Sequence, residues 1–245
     1  MSILYLNRLD FNNPGDLWSS PFHYIQKPGC LMDLFNPVNV TNLNSIIVGG
    51  GAILQNQRMS NNLESILEKF SGVKICWGIG IEQSDRNKNI LNSFDFYGVR
   101  DWNFGNNYLP CASVMHPLFQ KKEKSKKDFL IIDHWKRIPI EITFDHTRIK
   151  NRFISIEDII TQINSHEYVI TSSYHAAYWG ILQGKKTIIV SNPMQGKFNF
   201  KYDITVSEIW DNKFLDIAKS YPDAYDECLS LNTEFLNNLL KSSVF

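Results

Sequence analysis

The sequence predicts an α/β protein built as two small parallel-sheet lobes facing each other across a cleft. Three observations predict it. Short β-branched apolar runs alternate with helix-compatible segments, which is the pattern of strand–helix–strand units. The alternation occurs in two blocks. A polar charge run, Lys121-Lys-Glu-Lys-Ser-Lys-Lys127, separates them. The expected division is an N-terminal lobe over residues 1–120, a charged linker over 121–127 and a C-terminal lobe over 128–245. At 245 residues each lobe falls near the usual domain size of roughly 100–150 residues.

In chain order, Ile3–Leu6 is a first buried strand, followed by the turn-forming loop Asn12-Asn-Pro-Gly-Asp-Leu-Trp18 with Asp16 as its cap. Residues 21–37 give no clear pattern beyond one short strand. Ser45-Ile-Ile-Val48 is a strand that runs into Gly49, Gly50 and Gly51 and then into a helix-like continuation. Three successive glycines let a backbone approach a ligand closely, or serve a tight crossing of strand and helix. No dinucleotide fingerprint and no Walker loop can be written there. Asn61–Phe70 is helical with Leu63, Ile66, Leu67 and Phe70 on one face. Val73–Gln83 supplies a strand with a glycine-punctuated exit, and a weak helix covers Asn87–Phe94. Phe96-Tyr-Gly-Val99 ends on Arg100 and Asp101, at the carboxyl rim of the sheet. Arg100 there serves either a salt bridge or an anion. Ala112–Pro117 closes the first block.

The second block begins with a strand at Phe129–Ile132 and a short one expected at Arg152–Ile154. Ser155-Ile-Glu-Asp158 is capping-box-like and opens a helix over Ile156–Ile163. The next unit organises the lobe. A strand at Tyr168–Thr171 meets Ser172 and Ser173, which can cap a helix over Tyr174–Gln183. Gly184 ends that helix, and Thr187–Val190 is the following parallel strand. His175 therefore sits in a first helical turn, beyond the carboxyl ends of strands, where open α/β sheets bind ligands. The loop Asn192-Pro-Met-Gln-Gly-Lys-Phe198 offers Lys197 to the same place. Helical segments are expected around Val206–Trp210 and from Asp223 onward, covering the second sheet or returning to the first lobe.

Bulk properties narrow the function. The net charge is zero, so no broad field draws the chain to nucleic acid. Cys30, Cys76, Cys111 and Cys228 are scattered, which argues against a zinc site and a disulfide framework and for a reducing compartment. The amino terminus is too short in apolar length for a signal peptide, and no stretch approaches the ~18 apolar residues of a membrane span. The expected location is the cytoplasm, with the inner membrane face a compatible setting. No metal is expected.

The loops also occur in a recognisable order: Asn13-Pro-Gly-Asp16, Ile47-Val-Gly-Gly-Gly-Ala-Ile-Leu54, Trp77-Gly-Ile-Gly-Ile-Glu-Gln83, Val99-Arg-Asp101 and Ile170-Thr-Ser-Ser-Tyr-His-Ala176. Taken together they resemble the polysaccharide pyruvyl transferase family, in its short bacterial exopolysaccharide form. Two departures stand out. Tyr174 occupies a position that is often Leu in the family, and Trp102-Asn-Phe-Gly105 replaces the usual Ser or Thr after Arg-Asp. The resemblance implies a fold of two Rossmann-like lobes like that of GT-B glycosyltransferases. It also implies phosphoenolpyruvate as co-substrate with no further cofactor. The resemblance further implies transfer of the enolpyruvyl group to two hydroxyls of a surface-polysaccharide precursor sugar, giving a pyruvate ketal and phosphate. The acceptor would be a lipid-linked oligosaccharide, and peripheral membrane contact is compatible with that.

On this resemblance His175, Arg100 and Asp16 are the catalytic candidates. Asn13, Gly49, Gly50, Gly51, Ser172, Ser173 and Lys197 are the candidate substrate-binding residues. A histidine near its ordinary pKa of about 6.5 can protonate the enol carbon at neutral pH, or can simply bind phosphate. Arg100 suits bidentate binding of carboxylate or phosphate. Asp16 would accept a hydroxyl proton or orient the sugar. His23, His116, His134, His146 and His166 match no motif and are expected to be structural or at the surface. Two rivals remain: a nucleotide-sugar glycosyltransferase of the same architecture, and a non-catalytic carbohydrate-binding homologue.

Overall fold

The computed structural model describes residues 2–36, 39–191 and 197–242. They form two compact units, each with its own five-stranded, all-parallel sheet flanked by helices. The α/β class and the pair of Rossmann-like lobes are therefore as expected, and GT-B-like is a fair description of them. One unit comprises Met1–Phe11, Asp16–Met115 and Cys228–Phe245; the other comprises Asn12–Gly15 and His116–Glu227.

In the first unit the strands are β1 (Ile3–Asn7), β2 (Gly29–Asp33), β3 (Ser45–Gly49), β4 (Val73–Ile79) and β5 (Phe96–Val99), in the order β2-β1-β3-β4-β5. Parallel strands are covered on both faces, so their sequences are continuous apolar runs rather than alternating ones. Alternate residues then go to opposite faces. Leu4, Leu6, Ile46 and Val48 pack with Leu63, Leu67, Ile90 and Leu91, whereas Ile3, Tyr5, Ile47, Ile75 and Trp77 share the other core with Leu239 and the partly buried Phe235.

Among the described residues, three α-helices lie between the strands of this sheet along the chain. The short α1 (Pro14–Trp18) follows β1, with Asp16 inside its first turn rather than capping it. Helix α2 (Gln57–Lys69) begins a turn earlier than the apolar spacing suggests, because Asn56 caps it by accepting from Met59 N–H at 3.1 Å. Helix α3 (Asp85–Asn92) is capped by Ser84, whose hydroxyl accepts from Asn87 N–H at 3.2 Å. The helix-like continuation expected after Gly51 is instead a turn, with Leu54 bridged to Ile81.

The second unit has strands β6 (Lys127–Asp133), β7 (Thr147–Lys150), β8 (His166–Thr171), β9 (Lys186–Val190) and β10 (Thr205–Ser207), ordered β10-β9-β8-β6-β7. Two expectations fail here. The strand placed at Arg152–Ile154 is Thr147–Lys150, which pairs with β6, while Phe153 takes a positive φ of 58° that no strand residue adopts. The helix placed at Val206–Trp210 is the edge strand β10, held by β9. Three β-contacting residues are too few to show a period of either kind. Helix α4 (Ile156–Ser165) is capped by Ser155, as the capping-box pattern predicts. Helix α5 (Tyr174–Leu182) has all nine residues buried, the mark of a helix enclosed on every side. Helix α6 (Phe214–Ile217) is a single turn.

The charge run belongs to the second unit by its bonds. Lys126 N–H donates to Ser165 C=O at 2.9 Å, Ser125 Oγ donates to His166 C=O at 2.9 Å, and Lys122 Nζ donates to Pro222 C=O at 2.7 Å. The last helix, α7 (Ala224–Lys241), has Leu231, Phe235, Leu236 and Leu239 in the core of the first sheet. Its anchor is polar. Trp77 Nε1–H donates to Asn232 Oδ1 at 2.7 Å, and Asn232 Nδ2 donates to the carbonyls of Pro110 (3.2 Å) and Cys228 (2.9 Å), with both side chains fully buried.

Replacing Asn232 by Leu leaves the indole N–H of Trp77 and the Pro110 carbonyl buried without a partner. The expected loss is about 1–3 kcal/mol in urea unfolding of the whole chain. Adding Trp77→Phe should cost less than the sum of the two single changes.

Candidate functional site

An open parallel sheet binds ligands beyond the carboxyl ends of its strands, where the chain reverses its direction of travel across the sheet. In the second sheet the chain leaves β6 for β7 on one side and returns to β8 on the other, so the switch lies between β6 and β8. The loops there are residues 134–139 after β6 and Ser172–Ser173 after β8. In the first sheet the same logic places the switch between β1 and β3. There the sequence sets the loop after β1, with Asn13 and Asp16, and Gly49–Gly51 after β3. Most of the sequence-selected residues fall at these two switch points.

At the second switch the two serines do not cap α5. Ser173 is its N-cap residue but makes no side-chain capping bond. Its hydroxyl instead accepts from Asn151 Nδ2 at 3.1 Å, and its N–H donates to Thr171 Oγ1 at 3.0 Å. Ser172 Oγ accepts from the His134 N–H at 3.0 Å. Asn151 in turn accepts the Trp135 N–H on Oδ1 at 3.0 Å. The exits of β6, β7 and β8 are thereby tied together by side chain–backbone bonds. The expected capping role is corrected: the hydroxyls join loops instead.

His175 is 8% exposed, lying between the rings of Tyr174 and Trp179 at centroid distances of 5.4 and 5.8 Å. It also explains a motif glycine. A Cβ placed on Gly15 would stand 2.4 Å from His175 Nδ1, so the Asn-Pro-Gly turn needs glycine to admit the imidazole. That turn is held locally: Asn13 Oδ1 accepts from Gly15 N–H at 3.2 Å, and Phe153 N–H donates to Asn12 C=O at 2.8 Å. Asn13, Gly15, Ser172, Ser173 and His175 thus share the second unit. Lys197 is there too, close enough for its charge to act on His134. The rest of its expected loop, residues 192–196, lies outside the described residues.

In the first unit Arg100 is 2% exposed, and its guanidinium lies across Gly80, where a Cβ would come within 2.8 Å of Nε. Asp101 acts as a clasp, accepting from Ile81 N–H at 2.7 Å. Asp16 gives its backbone carbonyl to Asn7 Nδ2 at 2.7 Å. The charges of Arg100 and Asp16 both reach the buried Cys111 thiol. Burial pushes that thiol up and hydrogen bonds from Ser113 oppose the shift, with Arg100 lowering it and Asp16 raising it. The two candidates therefore share one neighbourhood. The three glycines divide. A Cβ on Gly49 would strike Pro21 and one on Gly50 would strike Ser19, so these two serve a tight crossing. Gly51, at φ 67°, faces open space.

One residue set escaped the sequence. His134, Lys136 and Arg137 follow β6, and Arg152 follows β7 with its guanidinium 3.6 Å from the Trp135 ring centroid. His134, expected to be structural or at the surface, is at the switch point. Burial, then the charges of Arg137, Lys197 and Lys136, push its pKa down to about 4. Burial alone lowers that of Arg137. The available signal was His134-Trp-Lys-Arg137 directly after an apolar strand. Among the described residues no group of three or more His, Cys, Asp or Glu is arranged to hold a metal ion. None of the described helices is long and apolar enough to cross a membrane.

Compared with models of known protein families, residues 114–193 match polysaccharide pyruvyl transferase. The match runs from the end of the first unit through β9 and includes Ser172, Ser173 and His175. Over those residues it supports the family that the motif order resembles, which is one of transferase enzymes acting in polysaccharide biosynthesis. No curated protein matches the chain.

Two outcomes test this geometry. Gly15→Ala should displace the His175 ring, seen as a shifted imidazole resonance and a loss of stability. The low pKa of His134 also has a defined sign. The unfolded chain binds a proton near pH 6.5 that the folded chain refuses until about 4. Stability is therefore full above pH 6.5 and falls as the pH drops toward 4. Unfolding measured across that window should be flatter for His134→Gln than for the parent.

Proposed function

We propose that this transferase moves the enolpyruvyl group of phosphoenolpyruvate onto two hydroxyls of one sugar in a polysaccharide precursor, with release of phosphate. What supports the reading is the second switch point, where two serines tether the strand exits, His175 begins the helix that follows, and the charge of Lys197 reaches His134. Phosphoenolpyruvate is a phosphate ester with a carboxylate, so it needs cations and hydrogen-bond donors held in place before it arrives. Arg100 is assigned the bidentate role suited to one of these anionic groups.

His175 gives a proton to the methylene carbon, and the positive charge that develops at the adjacent carbon draws in the oxygen of the first hydroxyl. That hydroxyl loses its proton to a base, the role assigned to Asp16. The second hydroxyl then attacks the same carbon as its bond to the phosphate oxygen breaks. One of the two released hydroxyl protons restores His175, and the other leaves with phosphate. No electron transfer occurs. A lipid-linked oligosaccharide is the acceptor this reading favours, met at the inner face of the membrane.

The test is incubation of the purified chain with phosphoenolpyruvate and a panel of galactosides, glucosides and N-acetylmannosaminides. Phosphate release should track an acid-labile mass gain on one sugar. His175→Asn should lower that rate by about 10²–10⁴-fold, the usual contribution of a general acid. Turnover of a nucleotide-sugar in place of phosphoenolpyruvate would replace this reading with a glycosyl transfer.

A further inference from the structure

The turn after β6 is built as a rigid cationic loop. Arg137 N–H closes it on His134 C=O at 2.9 Å. His134 N–H reaches Ser172 after β8, Trp135 N–H reaches Asn151 after β7, and Arg137 Nη1 donates to Ser191 Oγ after β9. The turn is thus anchored to three neighbouring strand exits. Its imidazole has a fixed tautomer: Lys136 N–H donates to His134 Nδ1 at 3.2 Å, which leaves the ring proton on Nε2 as a donor. The charges that act on this ring are those of Arg137, Lys197 and Lys136, all positive. A dianion bound beside these three cations is favoured by their charge.

We propose that the His134–Arg137 turn, with Lys197, is a phosphate clamp, in which Arg137 and the Nε2–H of His134 bind phosphate oxygens and Lys136 and Lys197 supply charge. The phosphate has two chemical sources, the donor phosphoenolpyruvate or a phosphate on the acceptor's lipid carrier. Assignment to the donor rests on the function proposed above; the clamp itself does not. An arginine whose guanidinium is already oriented by Ser191 loses little freedom on binding, and its fork matches a phosphate face. The neutral imidazole would gain a proton once the dianion is bound, because an adjacent negative charge favours the charged ring.

The experiment uses the whole chain and inorganic phosphate, followed by calorimetry and by NMR titration of the His134 ring. Phosphate should raise the His134 pKa by a unit or more. Arg137→Gln should weaken phosphate at least tenfold, and the surface change Lys136→Gln should weaken it by a smaller factor while leaving the fold unperturbed. Lys150→Gln on β7 should leave the affinity as it is. A His134 titration that phosphate does not move, or equal affinity in the parent, Arg137→Gln and Lys136→Gln, overturns the clamp. Competition then names the source. Phosphoenolpyruvate displacing phosphate, with the same loss in Arg137→Gln, assigns the clamp to the donor. Geranyl diphosphate displacing it while phosphoenolpyruvate does not leaves the clamp standing, assigns it to the carrier and removes the donor from this rim. Turnover of phosphoenolpyruvate with unaltered phosphate binding in Arg137→Gln retains the proposed function and rejects the clamp.

Discussion

Two serine hydroxyls that turn away from the helix they precede hold the second lobe's rim together. A serine at a helix start ordinarily accepts from the amides of the first turn. Here Ser173 accepts from Asn151 and Ser172 accepts from the backbone of His134. Each bond joins the β8 exit to a loop from another strand, and α5 starts without a side-chain cap. The arrangement exchanges a local bond worth about 0.5–2 kcal/mol for one that fixes the relative positions of three loops. That exchange makes sense where loop geometry matters more than helix stability.

Electrostatics follows from that scaffold. Once Ser172 holds the backbone of His134, the turn places Lys136 and Arg137 at the switch point, and Lys197 acts on the same ring. Asp133 pairs with Arg148 at 2.6 Å and accepts from Ile140 N–H, so it serves the sheet and not the rim. In the first lobe Asp101 likewise clasps Ile81, whereas Asp16 and Arg100 both bear on the buried Cys111. In the first lobe Asp16 follows β1, Gly51 follows β3 and Arg100 follows the edge strand β5; in the second Ser172 and Ser173 follow β8 and Lys197 follows β9.

Much of this was legible in the sequence because parallel strands are short, apolar and β-branched. Ile3–Asn7, Ser45–Gly49, His166–Thr171 and Lys186–Val190 announce themselves, as does the mostly apolar α5. The failures have local causes. Thr147–Lys150 is a half-exposed edge strand of mixed polarity, and Thr205–Ser207 is only three residues long, so neither shows a usable period. For the site, Ser172, Ser173 and His175 could be found because a strand ran straight into a helix. The turn His134–Arg137 showed only as a basic cluster after an apolar strand, because its place at a switch point depends on which strand neighbours β6, and strand order is a tertiary fact. The glycines show the same limit. Composition marks Gly49, Gly50 and Gly51 alike, yet packing against Pro21 and Ser19 accounts for the first two and only Gly51 looks onto open space.

The central claim is that the β6–β8 switch point, and not some other surface of the chain, receives a small phosphorylated acid. The most direct measurement is a crystal structure of the chain soaked with phosphoenolpyruvate or a non-reactive analogue. The account predicts density at the carboxyl end of β6 and β8, with its phosphate against the His134–Arg137 turn and its enol carbon toward His175. Density confined to another surface, with that rim holding only solvent, would contradict it.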